Sequence, residues 1–282
     1  MLNGTIDLHL HTVCSDGQDT PEELVEVAVS AGYKTISITD HDAVEGVIRG
    51  IEAAKGKPIE LIPGIELSSF DGGDDVHILG YYFDYKDPEF IKRIEFFKEK
   101  RKERAEEIVR NLNQVGLDIQ IDTVLRIAHG APIGRPHIAD ALLSEELIDT
   151  YGEAFHRYIG ADGPAYVPKY NVKPSEAIEL ILKNGGIPVI AHPGVLDRDE
   201  LILELKEYGL MGIEAFHPFH VPGKQLYYEK LAKKYDMLVT GGSDWHGKGR
   251  GSNFKKIVNS HKVPQKTIND MKSIIQNRNS SG

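Results

Sequence analysis

Hydrophobic and polar residues alternate with two different periods along the first eighty residues of the chain. Apolar runs at 5–10 and 35–39 have the length and β-branched content of strands, and each precedes a segment with helical spacing. The first helix is predicted to begin at Thr20, a capping residue followed by proline, and to end at Gly32. This alternation of strands and helices predicts a parallel sheet covered by helices.

The third and fourth strand candidates, at 59–65 and 76–82, lie too close together for a crossover helix. The residues between them, Asp71-Gly72-Gly73-Asp74, have the composition of a turn. The pattern then becomes wholly helical, beginning with a long helix from about 88 to 116. Its many cations are matched by glutamates, which predicts a solvated face. We expect residues 86–168 to form a helical insertion, or cap domain.

The alternation of strands and helices resumes in the last third of the chain. Strands are predicted at 187–191, 211–216 and 237–240, which makes seven in all. We expect an α/β fold, a distorted (β/α)7 barrel with an inserted helical cap domain. Residues 1–85 and 169–270 would form the discontinuous barrel, and residues 271–282 a C-terminal tail without fixed structure.

Composition narrows the class of protein. The chain has 282 residues, of which 40% are hydrophobic and 27% charged, as in ordinary globular proteins. It has no apolar run long enough for a membrane span, no basic signal-like start, and one cysteine, Cys14. We therefore expect a cytoplasmic protein. The net charge of −10 argues against long duplex nucleic acid as a partner, although bound cations would still permit phosphate chemistry.

Histidines and acids recur at the ends of the predicted strands. His9 and His11 alternate on the first strand, so they share a face. Glu66 is expected directly after the third strand, and His77 at the start of the fourth. Singly, each such residue has an ordinary explanation as a cap, a turn or a core polar group. Together they predict a metal site at the mouth of a barrel, where strand ends converge. The nine candidates are His9, His11, Asp16, His41, Glu66, His77, His192, Asp244 and His246.

Four ordered blocks resemble the PHP (polymerase and histidinol phosphatase) superfamily. They are DLHLHTVCSDG at 7–17, TDHD at 39–42, AHP at 191–193 and SDWH at 243–246. The resemblance implies a distorted seven-stranded barrel and a hydrolase acting on phosphoric esters. Its bacterial branch with a helical insertion includes a phosphatase of nucleoside 3′,5′-bisphosphates and enzymes that trim short RNA from the 5′ end.

The resemblance also implies a trinuclear arrangement of the candidates. His9, His11, Glu66 and Asp244 would surround one metal. Glu66 would bridge from this metal to a second one. The second metal would also be held by His77 and His192, and the third by Asp16, His41 and His246. Two to three divalent ions are expected, and mixed imidazole and carboxylate ligands suit Mn, Fe or Zn.

Asp7 and Asp40 are candidates to fix imidazole tautomers from behind the ligands. A metal-bridging hydroxide would then be the catalytic nucleophile, so no covalent nucleophile is required. Cys14 is expected to be a wall residue.

Substrate contacts are expected from the insertion and from the end of the sixth strand. Arg135 and His137, in a stiff Gly-Arg-Pro-His segment, can grip phosphate, and Lys169 can add charge. His217 and His220 follow the sixth strand, and His220 is the candidate acid for the leaving oxygen. Tyrosines near Lys169 either stack on a base or pack in the core.

The favoured function is hydrolysis of a phosphate ester in a small nucleotide-like substrate, a nucleoside 3′,5′-bisphosphate or short 5′-phosphorylated RNA. Histidinol-phosphate phosphatase is the alternative within the same chemistry. A non-catalytic PHP module and a C–N amidohydrolase are less favoured, because the ligand set looks complete and no carbamylated-lysine position is evident. Oligomeric state is left open.

Overall fold

A computed structural model of the chain describes residues 5–247 and 263–281. Seven strands form one sheet in the order β1 to β7, which confirms the predicted number. The strands are β1 (Thr5–Leu10), β2 (Tyr33–Ile38), β3 (Glu60–Asp71), β4 (Asp74–Tyr81), β5 (Ile187–Ile190), β6 (Gly212–Phe216) and β7 (Leu238–Gly241).

Helices join the strands and fill the insertion. They are α1 (Pro21–Ser30), α2 (Glu45–Ala54), α3 (Pro88–Gln114), α4 (Ile121–Ala128), α5 (Arg135–Ser144), α6 (Tyr151–Glu153), α7 (Pro174–Lys183), α8 (Glu200–Glu207), α9 (Pro222–Lys234) and α10 (Gln265–Ser281). A π-helical segment follows α6 at Ala154–Ile159, and a 3₁₀ turn lies at Pro193–Val195. No helix of the described ranges is both long and apolar enough to cross a membrane.

Strand β4 runs antiparallel to both of its neighbours, whereas the other adjacent strands are parallel. The reversal occurs at the predicted turn, where Gly72 and Gly73 have positive φ angles of 59° and 105°. The start of β4 therefore meets the C-terminal ends of the parallel strands. As a result, His77 of β4 lies beside the end of β5, where its carbonyl accepts from the Ala191 amide.

The two edges of the sheet approach each other without forming a continuous ladder. The Asp244 amide donates to the His9 carbonyl, and the His11 amide donates to the Trp245 carbonyl, both at 2.9 Å. These bonds join β1 to the chain just after β7. The sheet is thus curled but incompletely closed, which agrees with the predicted distorted barrel.

Helix α3 belongs to two hydrophobic cores. Asp87 caps its start, where Oδ1 accepts from the Phe90 amide at 2.7 Å. Its first half packs Phe90 and Phe97 against the barrel. Its second half, including Ile108 and Leu112, builds a separate core with α4 and α5. The segment from the second half of α3 to the π-helical segment therefore packs around a hydrophobic core of its own.

The expected tail is mostly helical, so that expectation is wrong for residues 271–281. Helix α10 buries Ile268 and Met271 completely, and Arg278 Nη1 donates to the Gly186 carbonyl at 2.9 Å. Isoleucines and methionine recur on one face of this helix, and that spacing, hidden among many polar residues, was the missed signal. Residue 282 lies outside the described ranges.

Candidate metal centre

The first two candidate ligands lie at the end of β1, His9 on the strand and His11 directly after it. His9 and His11 are completely buried, and their Nε2 atoms lie 3.1 Å apart. Glu66 Oε2 lies 3.2 Å from His9 Nε2 and 3.3 Å from His11 Nε2. Asp244 Oδ1 lies 3.4 and 3.1 Å from the same two nitrogens. The structure thus brings together the four residues expected around one metal.

Glu66 lies between these residues and the next pair. Its Oε1 is 2.8 Å from His77 Nδ1 and 3.2 Å from His192 Nε2. Contrary to expectation, Glu66 does not follow β3, because β3 continues to Asp71. It lies inside the strand, and its backbone forms an isolated parallel β-bridge with His41, in the loop after β2.

The third expected group is also assembled at the mouth. His246 Nε2 lies 3.2 Å from Asp16 Oδ1, and nitrogens of His41 and His11 lie within 4.8 Å of these atoms. His11 therefore faces this group as well as its expected partners. We call the nine side chains predicted from the sequence the ligand cluster.

Buried atoms without hydrogen bonds test whether the cluster fits metal ions. Within the described ranges, the buried His11 Nδ1 has no hydrogen-bond partner, and His41 Nδ1 and Asp16 Oδ1 have an ionisable neighbour at 3.2 Å but no hydrogen bond of good geometry. Leaving such atoms unsatisfied is unfavourable, and cations would satisfy all three. The imidazole and carboxylate atoms of the ligand cluster therefore fit divalent transition metals.

The electrostatics of the cluster suit cations too. Burial would raise the pKa of Glu66, but neighbouring His41 and His9 hold it well below its usual value. The pKa of Asp244 is likewise held well below its usual value, against burial, chiefly by His9. Burial lowers the pKa of His41 well below its usual value. Against the effect of burial, neighbouring carboxylates raise the pKa of His9, and raise that of His11 to about 10. The carboxylates are thus in the ionised form that metal ligands need, and a bound cation would displace protons from these two imidazoles.

The backbone is strained where ligands leave the sheet. His192 and Asp244 have φ angles of 28° and 51°, in the left-handed region that residues other than glycine rarely adopt. A Cβ at Gly242 would collide with His9. Such local strain is characteristic of functional sites.

Glu214 is a member of this site that the sequence interpretation missed. Its Oε1 lies 2.9 Å from His9 Nδ1, and its Oε2 accepts from the His192 amide at 2.8 Å. Burial alone would raise the pKa of Glu214, but the charge and hydrogen bond of the adjacent His9 outweigh this effect and help to lower the pKa to about 2. The available signal was a single acid inside the apolar run of β6.

Asp7 and Asp40 do not contact imidazoles, so their expected role is corrected. Asp40 accepts from the Thr12 amide at 2.7 Å and from Ser15 Oγ at 2.6 Å. Asp7 accepts from the Ser243 amide at 2.9 Å. Both carboxylates fix the backbone of loops that carry ligands, because strand-end loops leave amides that need acceptors.

Two predicted cations lie beside the ligand cluster. Lys169 Nζ is 3.4 Å from His77 Nε2 and 3.2 Å from Asp75 Oδ1. Arg135 Nη2 lies 3.4 Å from Asp75 Oδ2. Burial and nearby Arg101 lower the pKa of Lys169 to about 8, although Asp75 opposes this shift.

Two arginines of α3 were missed because the whole helix was assigned a solvated face. Arg101 pairs with Asp42 at 2.6 Å, and Arg104 Nε donates to the Val167 carbonyl at 2.7 Å. Burial and nearby arginines lower the pKa of Arg104 to about 10. Both arginines line one pocket with Lys169. We call Arg101, Arg104, Arg135 and Lys169 the cationic wall.

His137 and His220 are both committed to structural hydrogen bonds. His137 Nδ1 accepts from the Gly134 amide at 3.0 Å, and its Nε2 donates to the Ser15 carbonyl at 2.9 Å. This bond joins the insertion to the loop that carries Asp16. The buried His137 is therefore not open to substrate, which corrects its expected role.

Both ring nitrogens of His220 also form hydrogen bonds with backbone groups. Its Nε2 accepts from the Gly194 amide at 3.0 Å, and its Nδ1 donates to the Ala215 carbonyl at 2.9 Å. No ring nitrogen remains to protonate a leaving group, so the expected catalytic role is corrected. His217 is likewise fully buried, and its Nδ1 accepts from the Phe219 amide while its Nε2 lies 3.3 Å from Asp244 Oδ2. Its expected contact with substrate is corrected to a contact with the ligand cluster.

A curled α/β barrel with clustered imidazoles and carboxylates at its mouth defines a class of metal-binding hydrolases. The chain matches the model of the PHP domain over residues 7–184. It therefore belongs to the PHP family, as the four sequence blocks predicted.

Three relatives align with most of the chain. A phosphoribosyl 1,2-cyclic phosphate 1,2-diphosphodiesterase from Eggerthella lenta is 31% identical, over 86% of this chain and 94% of its own. A 5′-3′ exoribonuclease from Haemophilus influenzae is 34% identical, over 85% of this chain and 89% of its own. A 3′,5′-nucleoside bisphosphate phosphatase from Chromobacterium violaceum is 30% identical, over 87% and 88%.

A solved structure agrees with these relatives. A protein from Bifidobacterium adolescentis, assigned as a metal-dependent phosphoesterase, superposes with a TM-score of 0.87 at 31% identity, covering 96% of each chain. With the relatives above, this similarity identifies the chain as a hydrolase acting on phosphoric ester bonds.

Proposed function

We propose that this hydrolase cleaves a phosphate ester of a nucleotide-like substrate, either a nucleoside 3′,5′-bisphosphate or a short 5′-phosphorylated oligonucleotide. The observation that carries the proposal is the contact between the ligand cluster and the cationic wall, where Lys169 Nζ lies 3.4 Å from His77 Nε2. Lys169 is the member of the wall that touches the cluster, and the four cations of the wall outnumber the two carboxylates that pair with them in the described part of the chain, Asp42 and Asp75. Such a pocket attracts substrates with more than one negative group.

Different residues of this chain would bind metal, bind phosphate and position a metal ligand. The ligand cluster, including Glu66, would hold two to three ions of Mn, Fe or Zn. When bound, such ions supply Lewis acidity and a water-derived nucleophile near neutral pH. Lys169 and Arg135 donate hydrogen bonds to phosphate oxygens, and Arg135 has the planar fork that binds phosphate in bidentate fashion. Glu214 holds His9 in place from behind.

Histidinol phosphate remains the second candidate, and charge argues against it. That substrate carries one phosphate and an ammonium group, which the four cations of the wall would repel. The relatives' names support the first candidate, because they refer to ribose phosphates, nucleoside bisphosphates and RNA. The non-catalytic module is disfavoured because all nine candidate ligands are present and face one another.

A substrate panel tests the proposal. The purified protein, loaded with Mn²⁺, is assayed with adenosine 3′,5′-bisphosphate, a 5′-phosphorylated RNA trinucleotide and histidinol phosphate. We expect kcat/KM to be highest for one of the nucleotide substrates. A kcat/KM for histidinol phosphate that exceeds both by orders of magnitude would contradict the proposal. Full activity in protein stripped of metal would contradict the role of the ligand cluster.

A further inference from the structure

Phe219 exposes a large apolar ring at the barrel mouth. Its side chain is 75% exposed, and it lies in the loop between β6 and α9. Val221 of the same loop and Val195 of the loop after β5 are also exposed. The two loops are joined directly, because the Gly194 amide donates to His220 Nε2 at 3.0 Å. Exposed apolar side chains on two joined loops beside a polar cluster are a candidate binding surface.

The loop that carries Phe219 is held firmly by hydrogen bonds. The Phe219 amide donates to His217 Nδ1 at 3.3 Å. His220 is fixed through both ring nitrogens, and its carbonyl accepts from Gln225 Nε2 at 2.9 Å. These bonds hold the backbone that carries the ring of Phe219, which reduces the cost of ordering a stacking platform.

One imidazole separates Phe219 from the ligand cluster. The ring centroids of Phe219 and His217 lie 5.3 Å apart, and His217 Nε2 lies 3.3 Å from Asp244 Oδ2. The cationic wall contacts the cluster through a different member, His77. A phosphate ester bound at the cluster can therefore extend its anionic part along the wall and a flat apolar part over Phe219.

We propose that Phe219, flanked by Val195 and Val221, is the surface on which the aromatic base of the substrate packs. This inference rests on the proposed function and deepens it, because it assigns a recognition site for the base as well as for phosphate. Stacking of a base on an aromatic side chain contributes on the order of tenfold in affinity. The platform would favour nucleotides over sugar phosphates that lack a base.

The test compares two substrates that differ only in the base. KM is measured for adenosine 3′,5′-bisphosphate and for 1-deoxyribose 3,5-bisphosphate, in the wild type, Phe219→Ala and Phe219→Trp. We expect Phe219→Ala to raise KM about tenfold for the adenosine substrate and to leave that of the abasic substrate unchanged. Phe219→Trp should keep the preference. The matched control is Tyr208→Ala, which removes another exposed aromatic ring (61% against 75%) at the end of α8, before the chain enters β6.

A binding measurement separates this inference from the proposed function. Calorimetry gives Kd values of the metal-loaded protein for the methylenephosphonate analogues of adenosine 5′-phosphate and ribose 5-phosphate, whose P–C bond prevents turnover. A preference for the adenosine ligand that Phe219→Ala abolishes supports the platform, even if no nucleotide is hydrolysed. Equal effects of Phe219→Ala on both ligands, or no effect, overturn it, even if nucleotides are hydrolysed. It is also overturned if Phe219→Ala changes only the oligomeric state in size-exclusion chromatography.

Discussion

The ligand cluster and the cationic wall meet at one mouth, but they are built in different ways. The cluster comes from strands and strand ends, where backbone hydrogen bonds fix the chain that carries each side chain, as for His9 on β1 and His11 directly after it. The wall comes from α3, α5 and the chain returning from the insertion, and its cations are held by ion pairs such as Lys169 with Asp75. A sheet thus fixes the reactive centre, while a separately packed insertion supplies charge for the substrate. Changes in the two regions should therefore have separable effects.

The largest effect is expected when the cluster loses its shared carboxylate. Glu66→Ala removes the group that lies between His9 and His77, so metal binding and charge stabilisation should both fail. We expect kcat to fall by at least about a thousandfold. Kinetics and metal content by mass spectrometry measure this loss. Glu60→Gln, an exposed change on the same strand, should leave both unchanged. Full metal content in Glu66→Ala would contradict the assignment.

The next effect tests whether Glu214 positions a ligand. Glu214→Gln keeps the size of the side chain but removes the charge that faces His9 Nδ1. Changes behind a metal ligand typically cost about 10- to 100-fold in metal affinity. A Mn²⁺ titration should show this weakening, and kcat at saturating Mn²⁺ should recover most of its wild-type value. Unchanged affinity would mean that Glu214 has only a packing role.

The ligand cluster was easier to predict from the sequence than the cationic wall, because the cluster is built on strands and the wall on a separately packed insertion. Ligands such as His9 and Asp244 lie at positions set by period and chain order, so the sheet alone brings them together. Glu214 was missed because it lies inside an apolar strand rather than at its end. Arg101 was missed because charges cover the whole polar face of its helix, and only the packing of the insertion decides which cations face the mouth. His220 was overinterpreted because sequence position does not reveal hydrogen-bond partners.

A smaller effect is expected from the wall. Lys169→Met keeps the aliphatic stem and removes the charge beside His77. Loss of one charge-assisted hydrogen bond should lower kcat/KM for adenosine 3′,5′-bisphosphate by roughly tenfold, with metal content unchanged. Lys183→Met, on the exposed face of α7, is the matched control. Loss of metal in Lys169→Met would show that the wall and the cluster are not separable.

The smallest effect concerns Asp75, whose carboxylate contacts both Lys169 and Arg135. An incoming phosphate must approach these cations against the negative charge of Asp75, so Asp75→Asn removes a repulsion while the amide oxygen can still accept a hydrogen bond. We expect the inhibition constant of inorganic phosphate to fall about threefold, with metal content unchanged. Asp74→Asn is the matched control, because the adjacent Asp74 pairs with Arg198 instead. Weaker inhibition by phosphate in Asp75→Asn would mean that this carboxylate chiefly orients the wall. The insertion would then depend on strand β4 for the geometry of its cations as well as for their charge balance.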